Sequence, residues 1–301
     1  MIAFLAFSCK KPDITPAYLI LLTPETVSDS ISVDVSNFNK IHDTNYEPEE
    51  LDAIRSHAIK DVYISFNGHA EYWQMPCTIP VLPNYSRQNN IRIIPCVRVA
   101  STSLTTTQYH FLKPIEQDIT LEKEEKYPIS SMKFEYRDDV TFPLLETFMQ
   151  STDFASIDTT NGVDLALYYD PNEKKSMGKI VFTDSKRYFN IATPYFYLNG
   201  QGERQFWEIQ YKSLNGTMVT YLNYRNTTTG ATAMDMVILP SSHGTWKKAY
   251  IELTDEISRA CGIASRVSVR LGIRGLQDSI NSPKAEFYFG HVSVISMEAR
   301  Y

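Results

Sequence analysis

The amino-acid sequence predicts an all-β protein built from two sandwich domains. Apolar side chains alternate with polar ones at period two wherever a pattern can be read, and this is the spacing of a half-buried strand. Tyrosine (19 residues) and phenylalanine (15 residues) are abundant, and aromatic side chains suit pleated surfaces better than helices. A chain of 301 residues is long enough for two domains of roughly 100 to 150 residues each.

The first group of strands falls within residues 23–120, which we predict to form a small N-terminal β-sandwich. Residues 31–36 and 62–66 each alternate apolar with polar side chains. The second of these runs ends at Asn67-Gly68, a pair typical of hairpin turns. Residues 48–55 form a short, acidic stretch, so we expect a loop with one helical turn there.

The second group falls within residues 145–301, which we predict to form a second sandwich. The clearest run has Val267, Val269, Leu271 and Ile273 alternating with Ser268, Arg270, Gly272 and Arg274. Near the C-terminus, the apolar residues at 287 and 289 are out of phase with those at 292 and 294. Gly290 lies between them, where a β-bulge would reset the alternation.

The two groups are separated by residues 121–144. This stretch carries the charged sequence LEKEEK, contains Pro128 and has few periodic apolar residues. We therefore predict that it is a linker between the domains.

The chain starts with the apolar run MIAFLAFS, which is followed by Cys9 and a polar stretch. Eight residues are too few for a transmembrane helix, which needs about 20. The segment resembles the lipobox of a lipoprotein signal, whose cysteine is diacylated after cleavage. This resemblance implies that residues 1–8 are removed, that Cys9 carries the lipid anchor and that residues 9–22 form a tether. The alternative is a buried N-terminal strand with an incidental cysteine.

Three further cysteines have spacings that match no zinc site, and we predict no bound metal. An exported location permits a disulfide bond. Cys77 and Cys96 each follow a proline and are 19 residues apart, so they could lie on neighbouring strands and pair. Cys261 would then be a buried thiol outside the pair.

The charge of the chain argues against a nucleic-acid partner. The net charge is −6 and the basic residues are scattered along the sequence, whereas phosphate neutralisation needs clustered Lys and Arg. An acidic chain also has no electrostatic attraction to anionic lipids, so membrane attachment would depend on the lipid anchor.

Signatures of catalysis and of cofactor binding are absent from the sequence. It contains no G-x-S-x-G, no H-E-x-x-H and no glycine-rich phosphate loop or dinucleotide fingerprint. We therefore predict a protein that is not an enzyme and holds no cofactor. A glycosidase, which needs two nearby carboxylates, stays an alternative because four acidic residues lie on or near predicted strands: Glu146, Asp184, Glu208 and Glu252.

Five stretches resemble a broad group of Bacteroidota outer-membrane lipoproteins. They are IKDVYI (59–64), MPCTIPVL (75–82), GKIVFTD (178–184), FWEIQYK (206–212) and WKKAYI (246–251). The resemblance implies a lipid-anchored protein of the outer membrane, with an N-terminal β-sandwich and a C-terminal jelly roll shaped like a carbohydrate-binding module. In related modules an Asp-Asn pair holds calcium where this chain has Gly290-His291, which also favours the absence of metal.

These observations lead to three hypotheses of function. The first is a lipoprotein that binds or scaffolds at the bacterial outer membrane, as an accessory subunit of an envelope complex. The second is a cell-surface glycan-binding protein, and the third is a carbohydrate-active enzyme. Lys10-Lys11 directly after Cys9 leaves the side of the membrane open, since surface export often follows acidic residues at that place.

A glycan site would require aromatic side chains that face solvent, because the apolar face of a sugar stacks on an aromatic ring. The candidates in the second domain are Trp207, Tyr221, Tyr224 and Trp246. Trp207 shares a strand face with Ile209, and for both Trp207 and Trp246 the alternative is a place in the core.

Overall fold

The computed structural model of the protein describes residues 15–21, 31–85, 87–100, 105–129, 132–200, 204–226, 230–279 and 283–297. Strands account for 57% of these described residues and helices for 8%. The all-β prediction is therefore confirmed. The sheets form because alternating side chains can bury one face of each strand.

The described N-terminal half contains ten strands and two short helices. The strands are β1 (Ala17–Leu21), β2 (Ile31–Asp34), β3 (Asp61–Phe66), β4 (His69–Gln74), β5 (Cys77–Val81), β6 (Asn89–Val99), β7 (Thr105–Gln108), β8 (Ile115–Ile119), β9 (Lys126–Ile129) and β10 (Met132–Glu135). The helices are α1 (Phe38–His42) and α2 (Pro48–Arg55).

The described C-terminal half contains twelve strands and one helix. The strands are β11 (Val140–Glu146), β12 (Ala155–Ser156), β13 (Ala166–Asp170), β14 (Lys175–Val181), β15 (Tyr188–Ala192), β16 (Phe196–Asn199), β17 (Gln205–Leu214), β18 (Gly216–Asn226), β19 (Gly230–Leu239), β20 (Lys247–Glu252), β21 (Arg266–Gln277) and β22 (Glu286–Met297). The helix is α3 (Thr254–Cys261).

Three groups of strands enclose the core of the N-terminal half. Strand β1 lies between β5 and β9, β2 pairs with β10, and β6 pairs with β3, β7 and β8. The predicted turn at Asn67-Gly68 joins β3 to β4, and both residues have positive φ, 49° and 86°. That conformation fits the type I′ turns that follow the twist of a hairpin.

Three assignments made from the sequence, two segment boundaries and one loop, differ from the structure. The tether 9–22 contains β1, which is buried between β5 and β9. The linker 121–144 contains β9 and β10, which pair in parallel with β1 and β2 and so complete the N-terminal half. The segment expected to be a loop with one turn is the eight-residue helix α2.

The C-terminal half is a jelly-roll sandwich of two sheets. Strands β13, β14, β22, β17 and β20 lie side by side with β11 next to β22, and we call them the covered sheet. Strands β12, β15, β21, β18 and β19 form the second sheet with β16 next to β21, and we call it the open sheet. The core between the sheets includes Trp207, Ile209, Leu271 and Phe287, all fully buried.

The bulge predicted at Gly290 is confirmed. Gln210 pairs with His291 and Tyr211 pairs with Phe289, so Gly290 is the extra residue between β17 and β22. The bulge keeps Phe289 and Val292 in the core although they lie an odd number of residues apart.

The N-terminal half packs against the outer face of the covered sheet. Phe206, Tyr250 and Ile295 point away from the jelly-roll core and belong to the core of the N-terminal half. Tyr250 also bridges β20 to Val99 of β6. One outer face of the jelly roll is thus used for joining the two halves.

Candidate ligand-binding cleft

A cleft of about 480 Å³ lies on the outer face of the open sheet, and we call it the Tyr221 cleft. All residues that line it come from the C-terminal half: Ile157, Asn190, Tyr221, Asn223, Ala233, Asp235 and Arg274. The strands β15, β18, β19 and β21 supply all but one of them. Side chains on four adjacent strands of one sheet therefore converge on this cleft.

Tyr221, which is only 7% exposed, lies in the floor of the cleft, over Gly272 of the neighbouring strand, which has no side chain. A Cβ atom at Gly272 would lie 2.0 Å from Tyr221 Cζ, so the phenol ring lies directly over the glycine backbone. The Tyr221 hydroxyl donates a hydrogen bond to Asn190 Oδ1, at 2.6 Å. Burial raises the pKa of Tyr221, so this hydroxyl stays protonated and its orientation is fixed by Asn190.

The polar groups around the ring include one whose hydrogen-bonding capacity is unused. Asn223 Oδ1 is buried and has no partner among the described residues. Next to it in the lining, Arg274 forms an ion pair with Asp235. A buried amide oxygen without a donor costs free energy, and a ligand hydroxyl could supply that donor.

The other three aromatic candidates are placed where they do not serve the cleft. Trp207 is fully buried in the core between the sheets, and Tyr224 packs against the same core from the inner side of β18. Strand parity points both side chains inward, so neither lines the Tyr221 cleft, and for Trp207 the structure matches the alternative of a place in the core.

Trp246 lies on the other side of the sandwich and is already engaged. Its indole Nε1–H donates a hydrogen bond to Glu173 Oε2 at 2.8 Å. The ammonium groups of Lys212 and Lys175 lie 4.8 Å and 5.7 Å from its ring centroid. Cation–π contacts of this kind occupy the aromatic surface that a sugar would need.

The predicted disulfide is absent. Cys77 and Cys96 are both free thiols, because Cys77 pairs with Leu21 in the β5-β1-β9 sheet whereas Cys96 lies on β6. Burial raises the pKa of Cys77 to about 11 and that of Cys96 to about 12. Cys261 is buried as predicted, and Cys9 lies outside the described residues.

A second cleft, of about 450 Å³, lies where helix α2 meets the covered sheet. His291 is buried in its wall, and His291 Nδ1 and Lys175 Nζ both lie 3.0 Å from Gln210 Oε1. Gln210 Oε1 accepts from both groups, so His291 carries its proton on Nδ1, and Nε2 has no partner among the described residues. We call this the α2 cleft.

Two of the acidic residues considered for catalysis are buried and engaged by structural partners. Glu208 is buried in an ion pair with Lys248 at the junction of the two halves. Glu146 is buried and accepts the backbone N–H groups of Phe148 and Asp153, each at 2.6 Å. Neither residue lines the Tyr221 cleft.

Sequence reasoning missed Asn190, Asn223 and Asp235 as members of the cleft. Their neighbourhood depends on how β15, β18 and β19 are ordered around β21, and alternation within each strand does not give that order. Arg274 was visible as an outward residue of the clearest alternating run, but nothing in that run showed that it lies beside Tyr221.

Within the described ranges, no helix is long and apolar enough to cross a membrane. No group of three or more His, Cys, Asp or Glu side chains is placed to hold a metal ion in the same part of the chain.

The sequence matches no protein-family model and no curated protein. Among solved structures, the C-terminal family 22 carbohydrate-binding module of Clostridium thermocellum Xyn10B is 10% identical, with a TM-score of 0.35 over 53% of this chain and 96% of that one. The CBM22-2 xylan-binding domain of Paenibacillus barcinonensis Xyn10C is also 10% identical, with a TM-score of 0.31 over 50% and 97%.

A longer structure from Clostridium thermocellum, the CBM22-1–GH10 modules of xylanase 10B with xylohexaose, is 14% identical with a TM-score of 0.38. The match covers 52% of this chain and 29% of that one, so this chain spans less than a third of its length. The structures similar to part of this chain thus include carbohydrate-binding modules with a jelly-roll-like β fold.

Proposed function

We propose that the protein binds carbohydrate, and that the glycan occupies the Tyr221 cleft on the open sheet. The observation that carries the proposal is the convergence of an aromatic floor, one unsatisfied amide oxygen and a charged pair in one open cleft. Tyr221 provides the floor, Asn223 Oδ1 lacks a donor, and the Arg274–Asp235 pair lies at the wall.

The chemistry of the cleft suits a polyhydroxylated ligand. Sugar hydroxyls both donate and accept hydrogen bonds, so they pair with an amide oxygen, a carboxylate and a guanidinium in the same site. Ile157 and Ala233 contribute apolar surface beside the ring, where the C–H face of a pyranose can pack. A purely apolar ligand would leave Asn223 Oδ1 without a donor.

A glycan array followed by titration calorimetry tests this proposal with two matched variants. Asn223→Ala removes the unsatisfied amide within the cleft, and Asn199→Ala removes an exposed amide of β16 that does not line it. We expect Asn223→Ala to weaken binding of the best array glycan at least tenfold, and Asn199→Ala to change it less than twofold. The absence of any array signal, or equal affinities of Asn223→Ala and the wild type, would refute the proposal.

We propose binding and not catalysis at this cleft. Glycoside hydrolysis uses two carboxyl groups about 5 to 10 Å apart. Among the described residues that line the cleft, Asp235 is the single carboxylate, and Arg274 is its ion-pair partner. Release of reducing sugar from the best array glycan during prolonged incubation would contradict this proposal.

We further propose that the chain is a lipoprotein held at the bacterial outer membrane through acylated Cys9, and that it serves there as a binding component of an envelope complex. The support is the sequence MIAFLAFS-C, which resembles a lipobox. Metabolic labelling with a palmitate analogue should tag the wild type and not Cys9→Ala. A wild-type protein that lacks the label, or that is found in a soluble fraction, would contradict the lipid anchor at Cys9. Purification of the chain alone from detergent-solubilised membranes would contradict its place in an envelope complex.

A further inference from the structure

The open sheet has a charge opposite to that of the whole protein. Its six strands contain five charged residues, namely Arg225, Arg266, Arg270, Arg274 and Asp235. The complete chain has a net charge of −6. Four arginines against one aspartate give the strands of this sheet a net charge of +3, and a local positive field there would attract an anionic ligand.

Three of the arginines form a straight row along β21. Arg266, Arg270 and Arg274 are each four residues apart, so all three side chains share the outer face, at intervals of about 13 Å along the strand. Arg225 on β18 lies beside Ser268, between the first two members of the row. The end of the row at Arg274 lines the Tyr221 cleft.

The arginines beyond the cleft have no carboxylate to neutralise them among the described residues. The guanidinium carbons of Arg225 and Arg270 lie 4.0 Å and 4.6 Å from the ring centroid of Tyr195, which holds them in place. Arg270 Nε is buried and has no hydrogen-bond partner in the described part of the chain. A desolvated cationic donor without a partner is costly, and an anionic ligand group would satisfy it.

We infer that the protein selects acidic glycans, whose uronate or sulfate groups bind the arginine row while a neighbouring sugar ring occupies the Tyr221 cleft. This inference rests on the proposed function and adds the class of glycan. A guanidinium binds a carboxylate or sulfate through two parallel hydrogen bonds. We expect the acidic groups of the glycan to bind Arg225, Arg266 and Arg270.

The same surface fits a polyphosphate less well. Asp235 and the amide oxygen of Asn223 face the ligand, and both are acceptors that pair with sugar hydroxyls but repel or ignore phosphate oxygens. A single-stranded oligothymidylate therefore serves as a negative probe.

Titration calorimetry with two matched pairs of polymers tests the inference on the intact protein. The pairs are polygalacturonate with its methyl ester, and dextran sulfate with dextran. In at least one pair we expect the acidic polymer to bind at least tenfold more tightly at low salt. The advantage should shrink in 0.5 M NaCl, because salt screens charges exposed to solvent.

Two variants test whether the arginine row causes the preference for the acidic polymer. Arg270→Gln should reduce the preference for the acidic polymer at least tenfold, whereas Lys247→Gln removes an exposed charge on the covered sheet and should leave it unchanged. Arg266→Gln, at an exposed position, serves as a second test should Arg270→Gln unfold at a lower temperature than the wild type.

The outcomes separate this inference from the proposed function. Equal binding of acidic and neutral polymers, with sensitivity to Asn223→Ala, would refute the acidic class and leave glycan binding intact. Binding of oligothymidylate as tight as that of the acidic polymer would also refute it. The absence of binding to every polymer would overturn the acidic class, and glycan binding itself would then depend on the array.

Discussion

The buried ion pair between Glu208 and Lys248 should control how the two halves hold together. Their charged atoms are 2.8 Å apart, and the side chains are only 2% and 4% exposed. The Tyr109 hydroxyl of the N-terminal half donates a hydrogen bond to Glu208, and Lys248 donates one to the Ser56 carbonyl oxygen. The pair therefore connects the covered sheet to two segments of the N-terminal half.

Replacing Lys248 with methionine would leave the Glu208 carboxylate buried without its counter-ion. Loss of one partner of a buried pair costs about 3–5 kcal/mol of unfolding free energy. At roughly 2–4 °C per kcal/mol for chains of this size class, the melting temperature should fall by roughly 6–20 °C. The double variant Glu208→Gln/Lys248→Met leaves no buried charge, so it should recover at least about 2 kcal/mol relative to the sum of the single variants.

Urea unfolding followed by tryptophan fluorescence and calorimetry would measure these differences. The control is Arg259→Met, which breaks an ion pair with Glu256 whose arginine side chain is 67% exposed, and which should cost less than about 1 kcal/mol. The reasoning would be refuted if Lys248→Met and Arg259→Met were equally stable, or if the double-variant cycle showed no coupling.

Three further predictions concern single groups. Burial holds the pKa of His291 well below its ordinary 6.5, so on acidification the unfolded chain binds a proton before the folded protein does, and the free energy of unfolding should fall from pH 7 to pH 5. The variant His291→Asn should lose about 2 kcal/mol less of this free energy over the same range. Parallel pH dependences of stability for the variant and the wild type would contradict this prediction. Alkylation in denaturant without reductant should modify both Cys77 and Cys96, and a peptide linking them by a disulfide bond would contradict the structure. Gly272→Ala should displace the Tyr221 ring and lower the free energy of unfolding by about 1–3 kcal/mol. It should also weaken glycan binding at least tenfold. An unchanged affinity in calorimetry would contradict the position of Tyr221 in the cleft floor.

Much of the fold could be predicted because alternation is a local property of the sequence. The run on β21 and the bulge at Gly290 follow directly from which residues are apolar. Strands β9 and β10 were missed because each has only four residues. Both also lie close to the charged stretch LEKEEK. Their pairing with β1 and β2 is parallel and distant in sequence, so no local turn signals it.

Helix α2 was missed for a different reason. Glu47 is its N-cap, and the Glu47 backbone N–H donates to Glu50 Oε2 at 2.8 Å. Capping boxes usually start with Ser or Thr, so a glutamate at this position gave no recognisable start signal. Packing of Ala53 and Ile54 into the protein then stabilises a helix that its eight residues alone would not.

The candidate site was only partly predictable. Tyr221 and Tyr224 looked equivalent because they lie three residues apart on one strand, but an odd separation puts them on opposite faces. Only the position of the core decides which one faces a ligand. Cys77 and Cys96 gave a plausible pair by spacing, yet sheet assignment, which spacing does not contain, separates them.

A crystal structure with the oligosaccharide that binds most tightly on the array would show which cleft holds the glycan. We expect electron density for a sugar ring over Tyr221, with Asn223 Oδ1 accepting a hydrogen bond from one of its hydroxyls. A sugar bound in the α2 cleft beside His291, with the Tyr221 cleft empty, would contradict this expectation.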